Sequence, residues 1–313
     1  MLANFKYIIS IFLFFFKQRN IRPYRNNLSL LITNLHLIFS SNAEKYYLKK
    51  HTLNGELLEN IIKLPVNNEP PTEVEVYNVW VLWWQGEENM PPIVKCTYNS
   101  IKRMTNKNVV LITQKNWTNY ITPDPWIIEK VNTKKMKLPA LSDYIRASLL
   151  YEYGGLWIDS TVLCTDRIPE YVYKSTLFSI HANKITNKYI AFGRWNVQIL
   201  GTNKKHLYIF KCIKHIFSEY WKKYDDIMDY LLVDYSINYI YKSDTETKNL
   251  INSIPFTNPK MHELRALFNE NFDESKYNAL IQNTYFFKLS YKTPINRKND
   301  QYTFYNYILE KWK

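Results

Sequence analysis

Residues Leu138–Thr161 read LPALSDYIRASLLYEYGGLWIDST, and the rest of the chain is interpreted outward from them. Leu141, Tyr144, Ile145, Ser148 and Leu149 recur at the spacing of one helix face. Pro139 falls near the helix start, where its missing N–H would have no intrahelical partner anyway. Gly154 and Gly155 stop the helix, because glycine adopts the left-handed conformation of a C-terminal cap without steric cost. Leu156-Trp157-Ile158 then has strand character, with Asp159 at its end. A helix carrying Asp143 and Arg146 one turn apart thus leads into a strand that presents a carboxylate. Ligands of open α/β sheets bind at the carboxyl ends of strands, which places the expected site here.

The flanks extend the same architecture. Tyr77–Trp84 is strand-like and bounded by Gln85-Gly86; Pro91-Pro92 opens a helix reaching Met104; Val109–Ile112 is a second buried strand. A β-α-β start of this kind suits an α/β nucleotide-binding sheet. Downstream, Leu177–Ile180 and Val197–Leu200 read as strands, Lys204–Tyr224 and Asp225–Tyr241 as helices, and Thr284–Ser290 as a late strand. Upstream, Leu28–Leu64 has helical periodicity and ends in the turn-rich segment KLPVNNEPPT, Lys63–Thr72. The expected fold class is therefore α/β, with a basic, mostly helical N-terminal extension over residues 1–72. The catalytic-type sheet with its helical C-terminal additions would occupy residues 73–313.

The 313 residues include 41 Lys and Arg against 28 Asp and Glu, a formal charge of +13. That charge suits nucleic acid, an anionic membrane surface or phosphorylated small molecules. No zinc-finger, RNA-binding or helix-turn-helix pattern accompanies it, so nucleic acid is not the expected partner. Cys96, Cys164 and Cys212 are far apart and in no CxxC spacing, as in a cytosolic protein with reduced thiols. Tyr7–Phe16, YIISIFLFFF, is half the length of about twenty residues that a spanning helix needs. Lys17, Arg19, Arg22 and Arg25 follow it, the reverse of the order in a signal peptide. Two readings stay open: an in-plane anchor at the inner face of the membrane, or a helix packed on the domain.

The central stretch resembles the SDxxRxxLLxxYGGxxxDxD region of glycosyltransferases with a DxD motif, among them initiating mannosyltransferases and clostridial glucosylating toxins. It is also similar to the bacterial capsular polysaccharide synthesis protein family, whose members read GGxWxDxT here. VWVLWWQG at Val79–Gly86, PPIVKCTYNS at Pro91–Ser100 and FKLSYK at Phe287–Lys292 extend the resemblance over residues 77–292. It implies a glycosyltransferase A-type fold and transfer from a nucleotide-diphosphate sugar, a UDP-sugar favoured, to a capsular or lipid-linked glycan. By analogy with the toxins, the anomeric configuration is retained.

The resemblance implies that Asp143 and Arg146 grip the donor sugar and that Asp159 is the first Asp of DxD. It places Trp80, Trp83, Gln85, Gly86 and Ser142 at the nucleotide, although some tryptophans of an alternating strand must be core. Asp229 and Asp234 are further catalytic candidates on the helix that follows. Such transfer leaves a diphosphate of growing negative charge, which Mn²⁺ or Mg²⁺ bound to carboxylates neutralises. Here the motif is Asp159-Ser160-Thr161, so the usual second carboxylate is Thr161. Another carboxylate, or a water held by the Thr161 hydroxyl, could complete a metal site. An isolated Asp143–Arg146 pair would be an ordinary exposed ion pair; Asp159 behind the glycine stop sets it apart. Two rivals are a non-catalytic nucleotide-sugar or glycan-binding protein and a membrane-surface assembly factor.

Overall fold

The computed structural model describes residues 43–181, 187–295 and 301–313. The apolar run Tyr7–Phe16, its basic flank and the first part of the Leu28–Leu64 segment lie outside them. In chain order the elements are α1 (Ala43–Ile61), β1 (Thr72–Glu73), β2 (Asn78–Leu82), α2 (Pro92–Met104), β3 (Asn108–Ile112), α3 (Trp117–Tyr120) and α4 (Pro125–Asn132). Then follow α5 (Leu138–Tyr153), β4 (Gly155–Ile158), β5 (Val162–Cys164), α6 (Glu170–Lys174), β6 (Ile199–Thr202), β7 (Lys204–Lys205) and α7 (Tyr208–Lys223). The last are α8 (Leu232–Ser243), α9 (Thr245–Asn252), α10 (Glu274–Ile281), β8 (Phe286–Lys288) and α11 (Phe304–Lys311).

The central sheet runs β3-β2-β4-β6. β2 pairs in parallel with β3 and β4, with Trp80 opposite Val110 and Trp157, while β6 closes the edge antiparallel to β4. Parallel pairs need crossover connections, which α2 and the α3–α5 segment supply. Strands covered on both faces read as unbroken apolar runs, as NVWVL and GLWI do. Period-two alternation then sorts the side chains. Trp80, Leu82 and Trp157 enter the core shared with α5, α7 and α8, whereas Val79, Val81, Leu156 and Ile158 enter the core on the other face.

Gly154 and Gly155 take φ of +65° and +96°. A Cβ on Gly155 would collide with the Asn78 carbonyl on the neighbouring strand, so both backbone conformation and space require glycine. α1 packs through Leu57 and Leu58, with Ile62 just beyond it, into the same core as α5 and α8. β1 pairs antiparallel with β7, joining the end of the Lys63–Thr72 segment to the sheet side of the molecule.

Three expected elements differ. Leu177–Ile180 makes only an isolated bridge, Phe178 with Gly201, because Ser179 bonds Asn196 through its side chain instead of a ladder partner. The second late helix begins at Leu232 and not Asp225; residues 224–231 form turns in which the Asp229 carboxylate accepts from the Leu231 N–H. The Val197–Leu200 strand is shifted to Ile199–Thr202.

Candidate active site

Alternation along β4 puts Asp159 on the same side as Trp157, facing α5. One turn of α5 separates Asp143 from Arg146, and the helix ends directly at the glycines, so Arg146 is carried over the strand end. Its guanidinium donates from Nη1 to Asp143 Oδ1 at 2.5 Å and from Nη2 to Asp159 Oδ1 at 3.1 Å. It also lies on the Trp157 ring, 4.8 Å from the centroid. Arg146 is 4% exposed, and its Nε has no hydrogen-bond partner. Trp157 Nε1 donates to Asp159 Oδ1 at 2.9 Å.

Lys288 completes the ring. The β5–β8 pairing sets it opposite Val162, three residues beyond Asp159, and its ammonium donates to Asp159 Oδ2 at 2.6 Å. The Asp159-Ser160-Thr161 turn is itself clamped: Thr97 Oγ1 donates to the Ser160 carbonyl, the Val162 N–H to the Asp159 carbonyl, and the Leu289 N–H to the Thr161 carbonyl. Lys288 was within the quoted FKLSYK segment but carried no role in the sequence reading.

The three carboxylates differ in their electrostatics. Burial pushes Asp143 up to about 7; the Arg146 cation opposes this, while the Asp234 and Asp159 charges add to it. Burial likewise pushes Asp234 up to about 6, against a hydrogen bond from Trp195 Nε1 at 2.8 Å and the attraction of Arg146. Asp159 is also desolvated, but Lys288 and Arg146 outweigh that and hold its carboxyl below the usual range. Asp159 therefore stays ionised at neutral pH between two cations. Tyr230, 73% exposed, lies within electrostatic reach of Asp143 and Asp159 at the solvent side.

The structure thus brings together Asp143, Arg146, Asp159 and, within electrostatic reach, Asp234. Asp229 ion-pairs with Lys50 of α1 at 2.7 Å and accepts from Asn54, so its oxygens are committed to joining α1 to the start of α8. Trp80 is 1% exposed, donates to the Gly154 carbonyl and packs against Tyr120 and Tyr153; with its faces covered it has no room for a base. Trp83 points to the opposite side of β2, half-buried, edge-on to exposed Tyr291 at 5.6 Å. Gln85 and Gly86 follow in the turn after β2, and half-buried Ser142 lies one turn before Arg146.

A divalent ion at Asp159 and Thr161 would need several oxygen ligands. Both Asp159 oxygens already face protein cations. Among the described residues, no group of three or more His, Cys, Asp or Glu side chains is arranged to hold a metal. Each oxygen of Asp159 is thus shared with a protein cation, and Thr161 adds no carboxylate.

Fold and site define a mixed α/β protein with a largely buried ionic cluster at the carboxyl end of its central strand β4. The chain belongs to the capsular polysaccharide synthesis protein family, whose model matches residues 30–308. It is also similar to the O-glycosyltransferase PaGT of Phomopsis amygdali, 29% identical over 111 residues, which are 32% of this chain and 27% of that protein. The apo structure of the bifunctional glycosyltransferase WbbM aligns with a TM-score of 0.37 at 10% identity, covering 78% of this chain and 50% of that one. The chain thus spans about a quarter of the curated relative's length and half of the solved structure's.

Proposed function

We propose that this protein is a retaining, hexosyl-type glycosyltransferase that moves a sugar from a nucleoside-diphosphate donor, a UDP-sugar favoured, to a capsular, surface or lipid-linked glycan. The observation that carries this reading is the buried Arg146 bridging Asp143 and Asp159 at the strand end. Carboxylates and a guanidinium fixed this way can hold sugar hydroxyls in one geometry, which converts binding into orientation. In this reading Asp143 and Arg146 grip the sugar, Asp159 and Asp234 set the local field, and Trp83, Gln85, Gly86 and Ser142 line the nucleotide side. Family membership and the name of the similar O-glycosyltransferase are consistent with it.

A panel of nucleotide sugars tests the reading. Release of nucleoside diphosphate from at least one donor, accelerated by a glycan acceptor, is the expected result. Thr161 in place of the second DxD carboxylate favours one alternative, a protein that binds nucleotide sugars without turnover. Binding with no hydrolysis or transfer across the panel would establish that alternative. A peripheral position at the inner membrane surface is part of the proposal, resting on YIISIFLFFF and the cations after it.

A further inference from the structure

We propose that the Lys288 ammonium, and not a divalent metal ion, neutralises the diphosphate of the donor. This rests on the glycosyltransferase reading and names the cation that serves it. Lys288 brings a cation to the first carboxylate of a motif whose second is Thr161: its Nζ lies 2.6 Å from Asp159 Oδ2. The side chains of Lys288 and Asp159 are 18% and 21% exposed, buried enough to strengthen the charge and open enough for a ligand to touch it. An ammonium has three N–H donors. One is spent on Asp159, which leaves two for phosphate oxygens.

The position is rigid. The Lys288 N–H donates to the Met261 carbonyl at 2.8 Å and the next N–H, of Leu289, to the Thr161 carbonyl at 2.9 Å. Three residues beyond Lys288, exposed Tyr291 meets Trp83. A metal at Asp159 would instead have to displace a fixed ammonium from the same carboxylate and then sit beside that positive charge.

In the transfer step, the bond from the anomeric carbon to the diphosphate oxygen breaks, and its electron pair leaves on the diphosphate. The acceptor hydroxyl oxygen bonds to the anomeric carbon, and its proton passes to the departing diphosphate. Lys288 stabilises the charge that grows on that leaving oxygen, which is the role that raises kcat.

The test measures binding of nucleoside diphosphates (UDP, GDP, ADP, CDP and dTDP) to the full chain by calorimetry, with Mn²⁺ or with excess EDTA, beside donor hydrolysis. At least one diphosphate should bind with Kd unchanged within about twofold by EDTA. Lys288→Met should weaken that binding by about tenfold or more, the scale of losing one charge-assisted contact. It should also lower kcat by about 100-fold without rescue by Mn²⁺. Lys288→Arg, which keeps the cation and the pairing with Asp159, should retain most of both and shows that loss in the methionine variant is not misfolding. Binding that requires Mn²⁺, or that survives Lys288→Met unchanged, would overturn the proposal while leaving glycosyl transfer standing. Lys288-dependent, EDTA-resistant binding with no transfer from any donor would sink the transfer reading instead. Failure of every diphosphate to bind, with and without Mn²⁺, would reject both.

Discussion

Arg146 shows how much one residue does at this site. Its planar fork serves Asp143 with one nitrogen and Asp159 with another while its face rests on Trp157. A lysine keeps the charge but cannot hold two carboxylates in that geometry. Arg146→Lys is therefore expected to lower kcat/KM by about 100-fold; turnover equal to wild type with every accepted donor would contradict its role. Arg146→Ala leaves Asp143 without its cation and Asp159 with Lys288 alone, and should cost about 3 kcal/mol in denaturant unfolding. The titration of the acids gives a separate test. Burial raises Asp143 to about 7 and Asp234 to about 6, from an ordinary 3.8. Between the ordinary and raised values the folded state holds protons that the unfolded chain has released, so stability falls as pH rises through about 4 to 7. Asp159, held low, acts oppositely: its contribution is present above its unfolded value and is lost at more acid pH, as the folded carboxyl takes up its proton. Thermal melts of ligand-free protein should show Asp143→Asn losing less stability than wild type on going from about pH 5 to 7.5. Parallel curves would contradict the raised acid.

At the scale of elements, the junction from α5 through Gly154–Gly155 into β4 places the acids. Gly155→Ala forces a side chain into positive φ and against the Asn78 carbonyl. Positive φ alone costs about 1–2 kcal/mol, so the variant should melt well below wild type, and an unchanged melting temperature would contradict the close approach. This junction was legible in sequence because helix periodicity, the paired glycines and the apolar run agree, and alternation fixes the side to which Asp159 points. The limits of α8 were not legible, because Asp229 holds the turn before it by accepting from the Leu231 N–H and pairs with Lys50, 179 positions earlier. Trp80 had the local pattern of a strand tryptophan; only the helices over β2 decide that its faces are covered. Lys288 was hidden for the same reason: its partner is 129 residues away, joined through β5–β8 pairing that no local pattern encodes.

For the whole molecule, two features bear on the N-terminal region. Leu57, Leu58 and Ile62 fill the core shared by α5, α7 and α8. A chain starting at Asn26 keeps these residues and should fold and bind nucleotide like the full chain. One starting at Lys63 removes α1 and the Lys50–Asp229 pair and should be insoluble or molten, by circular dichroism and melting. If YIISIFLFFF and its cations anchor the protein, the full chain should bind vesicles of anionic lipid, with binding weakened by salt. Equal partitioning by the chain starting at Asn26 would contradict the anchor.

The central claim is that sugar transfer occurs at Asp159, and Asp159→Asn tests it most directly. The substitution keeps the size and most hydrogen-bonding capacity of the side chain but removes the charge between Arg146 and Lys288. With folding confirmed by the melting curve, the measurement is steady-state hydrolysis and transfer from the best nucleotide-sugar donor. The expected result is a fall in kcat of about 100-fold, as for the loss of one key electrostatic group; rates within about twofold of wild type would contradict the placement of the active site.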